Sequence, residues 1–134
     1  MIPINHLMMQ NLIMDHKTVE AYCLSMPGAI LDYPFGEGVA VYKVIPEGTN
    51  SDAQSLGKMF ALIQEDKLPL RISLKCNPAL SVILREKYET VVGGYHLNKK
   101  HWNTIILTGQ LPWEEVRGLI RHSYQLVAGL EESG

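Results

Sequence analysis

The sequence contains few cysteines, no long apolar run and no excess of positive charge. Two cysteines, Cys23 and Cys76, occur in 134 residues, and they are far apart and lack the spacing of metal ligands. No apolar stretch approaches the ~18 residues that a membrane-spanning helix needs, and the first residues lack the basic segment and cleavage site of a signal peptide. We therefore expect a cytoplasmic protein with reduced cysteines and no contact with a membrane.

The charge balance excludes a surface that is positive throughout. The 12 basic residues are outnumbered by 14 acidic ones, which gives a net charge of −2 at pH 7. The basic residues are concentrated in residues 56–101, where eight lysines and arginines accompany four carboxylates. This locally cationic middle third permits an anionic partner without requiring one.

Periodicity, caps and turn residues predict a single α+β domain over residues 15–130, with an N-terminal extension (1–14) and a C-terminal tail (131–134). The predicted order of elements is α-β-β-β-α-β-α, in a mainly antiparallel sheet with helices packed on one face. Helices are predicted at residues 15–26, at 77–88 and from 112 onward, and strands at 39–44, 58–64, 70–75 and 103–109. The polar segment 46–55 is predicted to be a long exposed hairpin loop.

The last predicted helix indicates where the core lies. Its apolar residues recur at helical spacing and form one stripe, which must be buried: Val116, Leu119, Ile120, Tyr124 and Val127. Trp102 directly precedes the apolar strand that follows in the sequence. We expect its indole to fill the core beside this stripe.

The segment GYHLNKKHWNTIIL (residues 94–107) concentrates polar chemistry, so we asked whether it is a catalytic or metal site. His96 and His101 are five residues apart and share neither a helix face nor a strand face, and no cysteine or carboxylate close in sequence completes a metal site. Cys76 lacks the flanking residues of a nucleophile motif, and no pair of carboxylates is arranged for acid–base chemistry. We expect a non-enzymatic protein without a metal or cofactor.

The same residue types suit an anionic polymer. Lysines neutralise phosphates, asparagine and histidine bond with base edges, and aromatic rings stack on bases. Arg71 and Lys75 share a strand face, because they are four residues apart, and could extend the cationic surface. The candidate site for nucleic acid or another anion comprises Arg71, Lys75, His96, Asn98, Lys99, Lys100 and His101.

A second interpretation makes the segment HLNKKHW (residues 96–102) a structural corner that fixes the sheet. The protein would then be a binding module for a protein or a small molecule. A map of the surface potential distinguishes this module from a DNA-binding protein. A deep pocket beside His96 or Cys76 would instead favour an enzyme.

The segment HLNKKHWNTI (residues 96–105) resembles the signature of the MmcQ/YjbR family of small bacterial proteins. Several further segments resemble the family in the same order: YCLSMPGA (22–29), YPFGEGVAVYKV (33–44), GKMFALI (57–63), ISLKCNP (72–78), LRE (84–86), LTGQLP (107–112) and SYQLV (123–127). The resemblance covers the chain from about residue 15 to 130. It implies an α+β domain similar to the frataxin/CyaY fold.

The resemblance also implies a role in DNA binding through β-hairpin wings, so DNA is the leading partner. The iron role of frataxin is not implied, because it needs an acidic ridge and the first predicted helix offers only Asp15 and Glu20. Two features depart from the family pattern. Gly93 stands where a proline is expected, and the loop 46–55 is long and acidic where the turn is usually tight. We therefore expect weak, salt-sensitive binding.

Overall fold

The computed structural model describes residues 15–45, 57–94 and 96–130. In chain order they form helix α1 (His16–Leu24), strands β1 (Ile30–Asp32), β2 (Val39–Val44), β3 (Lys58–Gln64) and β4 (Arg71–Lys75), helix α2 (Pro78–Lys87), strands β5 (Val91–Gly93) and β6 (Trp102–Ile106), and helix α3 (Trp113–Ala128). The predicted α+β class is confirmed.

The six strands form one antiparallel sheet in the order β1-β2-β3-β4-β6-β5. Strand β6 lies between β4 and β5, and its first residue, Trp102, pairs with the last residue of β4, Lys75. The β5–β6 loop (residues 94–101) therefore lies at the end of the sheet where β4 finishes.

Local sequence signals set the ends of the helices. Asp15 caps α1, because its Oδ1 accepts a hydrogen bond of 2.9 Å from the backbone amide three residues later. Asn77 caps α2 by accepting a bond of 2.9 Å from the Ala79 amide, and Pro78 occupies the first helical turn, where no amide partner is needed. Helix α3 ends at Gly129, which adopts a φ of +82° that glycine tolerates.

The core lies between one face of the sheet and the three helices. Every member of the predicted α3 stripe is buried in the core or packed against it, which confirms that prediction: Val116, Leu119, Ile120, Tyr124 and Val127. The ring of Tyr124 meets that of Phe60 on β3 edge to face, with 5.3 Å between centroids. Helix α1 adds Val19 and Cys23 to the same cluster.

Ser123 of α3 joins the helix to two strands by hydrogen bonds. Its hydroxyl donates to the carbonyl of Phe60 at 2.6 Å and accepts from the amide of Lys75 at 2.9 Å. Ser123 is fully buried, so both bonds are shielded from water. They hold the end of β4 against the helix.

The opposite side of the sheet, which we call the open face, points away from the three described helices. One row of cross-strand neighbours runs along it: Val41, Leu62, Ser73, Thr104 and Val92. The hydroxyls of Ser73 and Thr104 bond to each other at 2.7 Å, and both residues are buried. This pair satisfies its own hydrogen-bonding groups on the open face.

The structure corrects the predicted order of elements to α-β-β-β-β-α-β-β-α. The two strands missing from the predicted order, β1 and β5, have three residues each, too few to show an alternating pattern. They form by pairing along β2 and β6. Helix α1 also ends earlier than predicted, at Leu24, and β6 begins one residue earlier, at Trp102.

The prediction that Trp102 belongs to the core is wrong. Side chains alternate along a strand, and the next residue of β6, Asn103, is buried toward α2. Trp102 therefore faces the open side, where it is only partly buried, at the end of the sheet.

Three predicted segments lie outside the described residues: the extension 1–14, the loop 46–55 and the tail 131–134. The domain boundaries at residues 15 and 130 stay predictions. In the part of the chain that is described, no helix combines the length and apolarity needed to cross a membrane.

Replacing Ile120 by alanine tests the packing of α3 on the sheet. Ile120 is fully buried, so Ile120→Ala should lower the free energy of unfolding by about 2–5 kcal/mol, measured by urea denaturation. The neighbouring exposed residue supplies a matched control, since Arg121→Ala should change it by less than about 0.5 kcal/mol. Equal effects of the two substitutions would contradict this packing.

Candidate functional site

The β5–β6 loop is a compact turn held by its own backbone. The amide of Gly94 donates to the carbonyl of Trp102 at 2.9 Å, which closes the loop at its base. The carbonyl of Asn98 accepts from the amides of His101 and Trp102, at 3.2 and 2.9 Å. The side chain of Asn98 accepts from the amide of Lys100 at 2.9 Å, so this asparagine shapes the turn.

Two residues of the loop have special backbone requirements. A Cβ on Gly94 would lie 2.8 Å from Cβ of Trp102, so only glycine fits at this close approach. His96 has a φ of +58°, a left-handed conformation that histidine adopts more readily than bulky or β-branched residues.

Arg85 of α2 binds the backbone of the loop and the start of β6. Its Nη2 donates to the carbonyls of Lys99 and Trp102, and its Nε donates to Oδ1 of Asn103 at 2.6 Å. Ser81, one turn earlier on the same helix, donates to the same oxygen at 2.8 Å. We call these contacts the Arg85 clamp. The clamp supports the structural-corner interpretation of residues 96–102.

The backbone also ties the loop to β4. The carbonyl of His101 accepts a hydrogen bond of 2.8 Å from the amide of Cys76, directly after β4 ends. Residues 98–101 therefore stand beside Lys75. The sequence had grouped residues 98–101 with Lys75 only because of their polar and charged side chains, without showing that they are close in space.

Neither cysteine has the environment of a nucleophile. Burial raises the pKa of the Cys76 thiol to about 11 and that of Cys23 to about 12, so both are protonated at neutral pH. The cavity beside Cys76 has a volume of about 10 Å³, which is too small for a substrate. No group of three or more metal-ligating side chains occurs within residues 15–45, 57–94 and 96–130.

A set of four lysines, the lysine rim, occupies the end of the sheet around Trp102: Lys58, Lys75, Lys99 and Lys100. Lys58 and Lys75 line a depression of about 320 Å³ together with Met59, Trp102 and, from the end of α3, Leu126 and Val127. The loop supplies the other two, and both are exposed. The ion pairs found in the described part of the chain, His16–Glu65 and Lys43–Asp32, involve none of these lysines. The rim thus presents positive charge that these pairs leave uncompensated.

Lys99 explains the glycine at position 93. Its side chain crosses Gly93 so closely that a Cβ there would lie 3.0 Å from Cγ of Lys99, and its Nζ approaches the carbonyl of Gly94 at 3.4 Å. A larger residue at position 93 would push the lysine outward. Lys99 thus packs across the glycine that stands where a proline was expected.

The structure separates Arg71 from the rest of the predicted site. Arg71 begins β4 and Lys75 ends it, so they share the open face but lie roughly 13 Å apart along the strand. Arg71 pairs instead with Gln64 of β3 and Ile106 of β6. His96 also points elsewhere, toward a cleft that Leu62 and Gln64 line. Lys75, Asn98, Lys99, Lys100 and His101 remain together.

Sequence reasoning missed three residues of this region: Lys58, Arg85 and Trp102. Lys58 is far from the loop in sequence, and only the pairing of the strands brings it near. The signal for Arg85 was present, because Ser81 and Arg85 are four residues apart and so share a face of α2.

Comparisons with known proteins agree with this fold. The model of the YjbR family matches residues 24–126. The uncharacterised protein YbdF of Escherichia coli O157:H7 is 31% identical over 112 residues, which cover 84% of this chain and 83% of YbdF. The uncharacterised protein YjbR of E. coli K12 is 38% identical over 72 residues, covering 54% of this chain and 61% of YjbR.

Two solved structures are also similar. The crystal structure of Deinococcus radiodurans protein DR2400, with a DUF419 domain, has a TM-score of 0.76 and 31% identity, covering 92% of this chain and 87% of that one. A crystal structure of a Pseudomonas syringae protein has a TM-score of 0.67 and 28% identity, covering 85% and 99%. Both similarities extend over most of the chain.

Replacing Arg85 tests the clamp. Arg85→Ala removes the guanidinium donor from the carbonyl of Lys99 and from Oδ1 of Asn103 and leaves the carbonyl of Trp102 with the Gly94 amide alone, so we expect the free energy of unfolding to fall by about 2–3 kcal/mol. Arg85→Lys should recover little of the lost stability, because an ammonium cannot reproduce the fork of donors that a guanidinium presents. Lys87→Ala on the same helix is the control. If denaturation shows equal stability for Arg85→Ala and the control, the clamp does not hold the loop.

Proposed function

The chain belongs to the YjbR family of small bacterial proteins, and we propose that it is a non-enzymatic DNA-binding module that holds phosphates on its lysine rim. The observation that carries this proposal is the convergence of Lys58, Lys75, Lys99 and Lys100 at one end of the sheet. Ammonium groups of this kind are the usual partners of phosphate oxygens.

The Arg85 clamp makes the rim a prepared surface. The backbone of Lys99 is held by a guanidinium, and that of Lys100 by the side chain of Asn98. Because the loop is already held in place, phosphate binding costs less of its conformational entropy. Trp102, the partly buried cross-strand neighbour of Lys75, supplies an aromatic surface beside the charges.

The charge of the whole chain limits the strength of binding. The net charge of −2 means that carboxylates outnumber basic side chains. The carboxylates that lie away from the rim repel a duplex. About four phosphate contacts correspond to a slope of about −3.6 in a plot of log affinity against log salt. We expect binding that is weak and strongly dependent on salt.

The proposal also includes a fold family and a cellular location. The antiparallel sheet with helices on one face supports the frataxin/CyaY-like fold that the sequence resemblance implies. Cys23 and Cys76 are free and buried, which supports a cytoplasmic location.

A protein- or small-molecule-binding module is the second candidate, and the Arg85 clamp favours it, since the clamp gives residues 96–102 a structural role. Both candidates require a fixed loop. They differ in whether the exposed lysines of that loop bind phosphates.

The test is a titration of a short DNA duplex by fluorescence anisotropy at several salt concentrations. Lys58→Ala combined with Lys100→Ala should reduce the slope by about 2, because it removes two phosphate contacts. Both lysines are exposed, so the fold should be unaffected.

The control is Lys17→Ala combined with Lys67→Ala, which removes the same charge from exposed sites elsewhere. Lys67 lies in the β3–β4 turn, at the far end of these strands from the rim. The control should keep the slope of the unmodified protein. Absence of binding at about 50 mM salt, or equal slopes for the two double variants, would rule out the lysine rim as a DNA site.

A further inference from the structure

The depression at the lysine rim combines charge with an apolar lining. Lys58 and Lys75 border it, and three residues supply aliphatic surface: Met59, Leu126 and Val127. Its volume of about 320 Å³ falls within the range of ~300–1,000 Å³ that is typical of small-ligand sites. Phosphates alone account for the lysines but would leave the aliphatic lining in contact with water. A ligand that uses the whole depression needs an apolar part beside its phosphates.

Trp102 is aromatic and lines the same depression. It pairs with Lys75 directly across β6 and β4, so their Cβ atoms lie roughly 5 Å apart on the same side of the sheet. The carbonyl of Trp102 accepts from the amide of Gly94 at 2.9 Å and from Nη2 of Arg85 at 3.1 Å. The backbone that carries the ring is therefore fixed before a ligand arrives, and a cation stands next to it.

An unpaired nucleotide has the chemistry that suits this arrangement. Its base offers a flat face that stacks on an aromatic side chain, and its phosphate, one sugar away, accepts from an ammonium group. A duplex cannot use the depression in this way, because its bases are stacked on each other and only their edges are open in the grooves.

The charge of the chain also favours a single strand over a duplex. A duplex carries its charge more densely, so each phosphate contact contributes a slope of about −0.9 to the salt dependence, against about −0.7 for a single strand. The 14 carboxylates outnumber the 12 basic side chains, and they repel the denser polymer more strongly. A single strand is therefore attracted to the rim with less repulsion from the rest of the protein.

We propose that the lysine rim binds single-stranded DNA in preference to a duplex, with one base in the depression against Trp102 and the adjoining phosphates on the lysines. The inference rests on the proposed function, since it names the form of DNA that the same site binds. It gives a role to Trp102 and to the aliphatic lining, which the binding of a duplex leaves unused.

The experiment compares an oligothymidylate of about 12 nucleotides with the same strand paired to its complement, by fluorescence anisotropy on the full chain. At about 150 mM salt the single strand should bind about ten-fold more tightly, because a stacked base adds to the phosphate contacts. This preference should grow as the salt concentration rises, since about four contacts give a slope of about −2.8 for the single strand and about −3.6 for the duplex.

Variants of Trp102 separate the ring from the charges. Trp102→Leu should lose the preference and leave both salt slopes unchanged, because an aliphatic side chain offers no π face. Trp102→Phe retains a ring and should keep most of the preference. Lys58→Ala combined with Lys100→Ala should do the reverse, with shallower slopes and the preference retained. Urea denaturation checks that each variant is folded.

The two tryptophans of the chain allow a second measurement that leaves the site unchanged. Trp113→Phe makes Trp102 the only indole, and saturating oligothymidylate should quench its fluorescence through stacking. Trp102→Phe leaves Trp113, which begins α3 and lies roughly 20 Å from Leu126 along the helix. The fluorescence of this control should not change when the strand binds.

Three outcomes would overturn the inference and leave the proposed function standing. The first is equal affinity for the single strand and the duplex in the unmodified protein. The second is a folded Trp102→Leu variant that keeps the full preference, and the third is unquenched fluorescence of Trp102 in the Trp113→Phe variant. If neither polymer binds at about 50 mM salt, the proposed function itself is wrong, and this inference with it.

Discussion

The arrangement of the β5–β6 loop depends on the guanidinium of Arg85. Strand β6 begins at a corner where the carbonyls of Lys99 and Trp102 face α2, and Arg85 donates to both. The same group bonds to the buried side chain of Asn103, whose oxygen also accepts from Ser81. Unbonded polar groups at such a corner would destabilise it, so the bonds of Arg85 tie the loop to α2. The polar segment 96–102 therefore has a structural role first. It also presents the exposed lysines Lys99 and Lys100.

The two faces of the sheet have different roles because the described helices cover only one of them. Helices close one face with an apolar core, and on the other face the hydroxyls of Ser73 and Thr104 bond to each other. The open face can therefore present different side chains at its two ends, and neither set disturbs the core. Lys75 contributes to the cationic end, and Arg71 lies roughly 13 Å away at the other end of the strand.

The sequence predicted the parts of this structure that local signals determine. The starts of the first two helices near residues 15 and 77 and the stripe of α3 follow from spacing and side-chain chemistry, and they were confirmed. Strands β1 and β5 were missed from the order because three residues show no period, and pairing stabilises them. For the candidate site, alternation placed Arg71 and Lys75 on one face, but it could not show that the β5–β6 loop lies at the Lys75 end of the strand. Lys58 is brought to the rim by tertiary structure, which one sequence does not reveal.

The β5–β6 loop supplies two lysines of the rim, which raises the question of whether it closes on a bound DNA strand. Lys99 and Lys100 follow Asn98 in the loop, and Trp102 begins β6 directly after it. Closure requires a second arrangement of the loop that a ligand stabilises more than the first. The bonds of Asn98 within the turn and of Arg85 beneath it oppose such an arrangement, because each would have to break without a replacement. The geometry therefore favours a surface that a DNA strand meets in its existing form, and a loosened clamp would be the condition under which the loop closes.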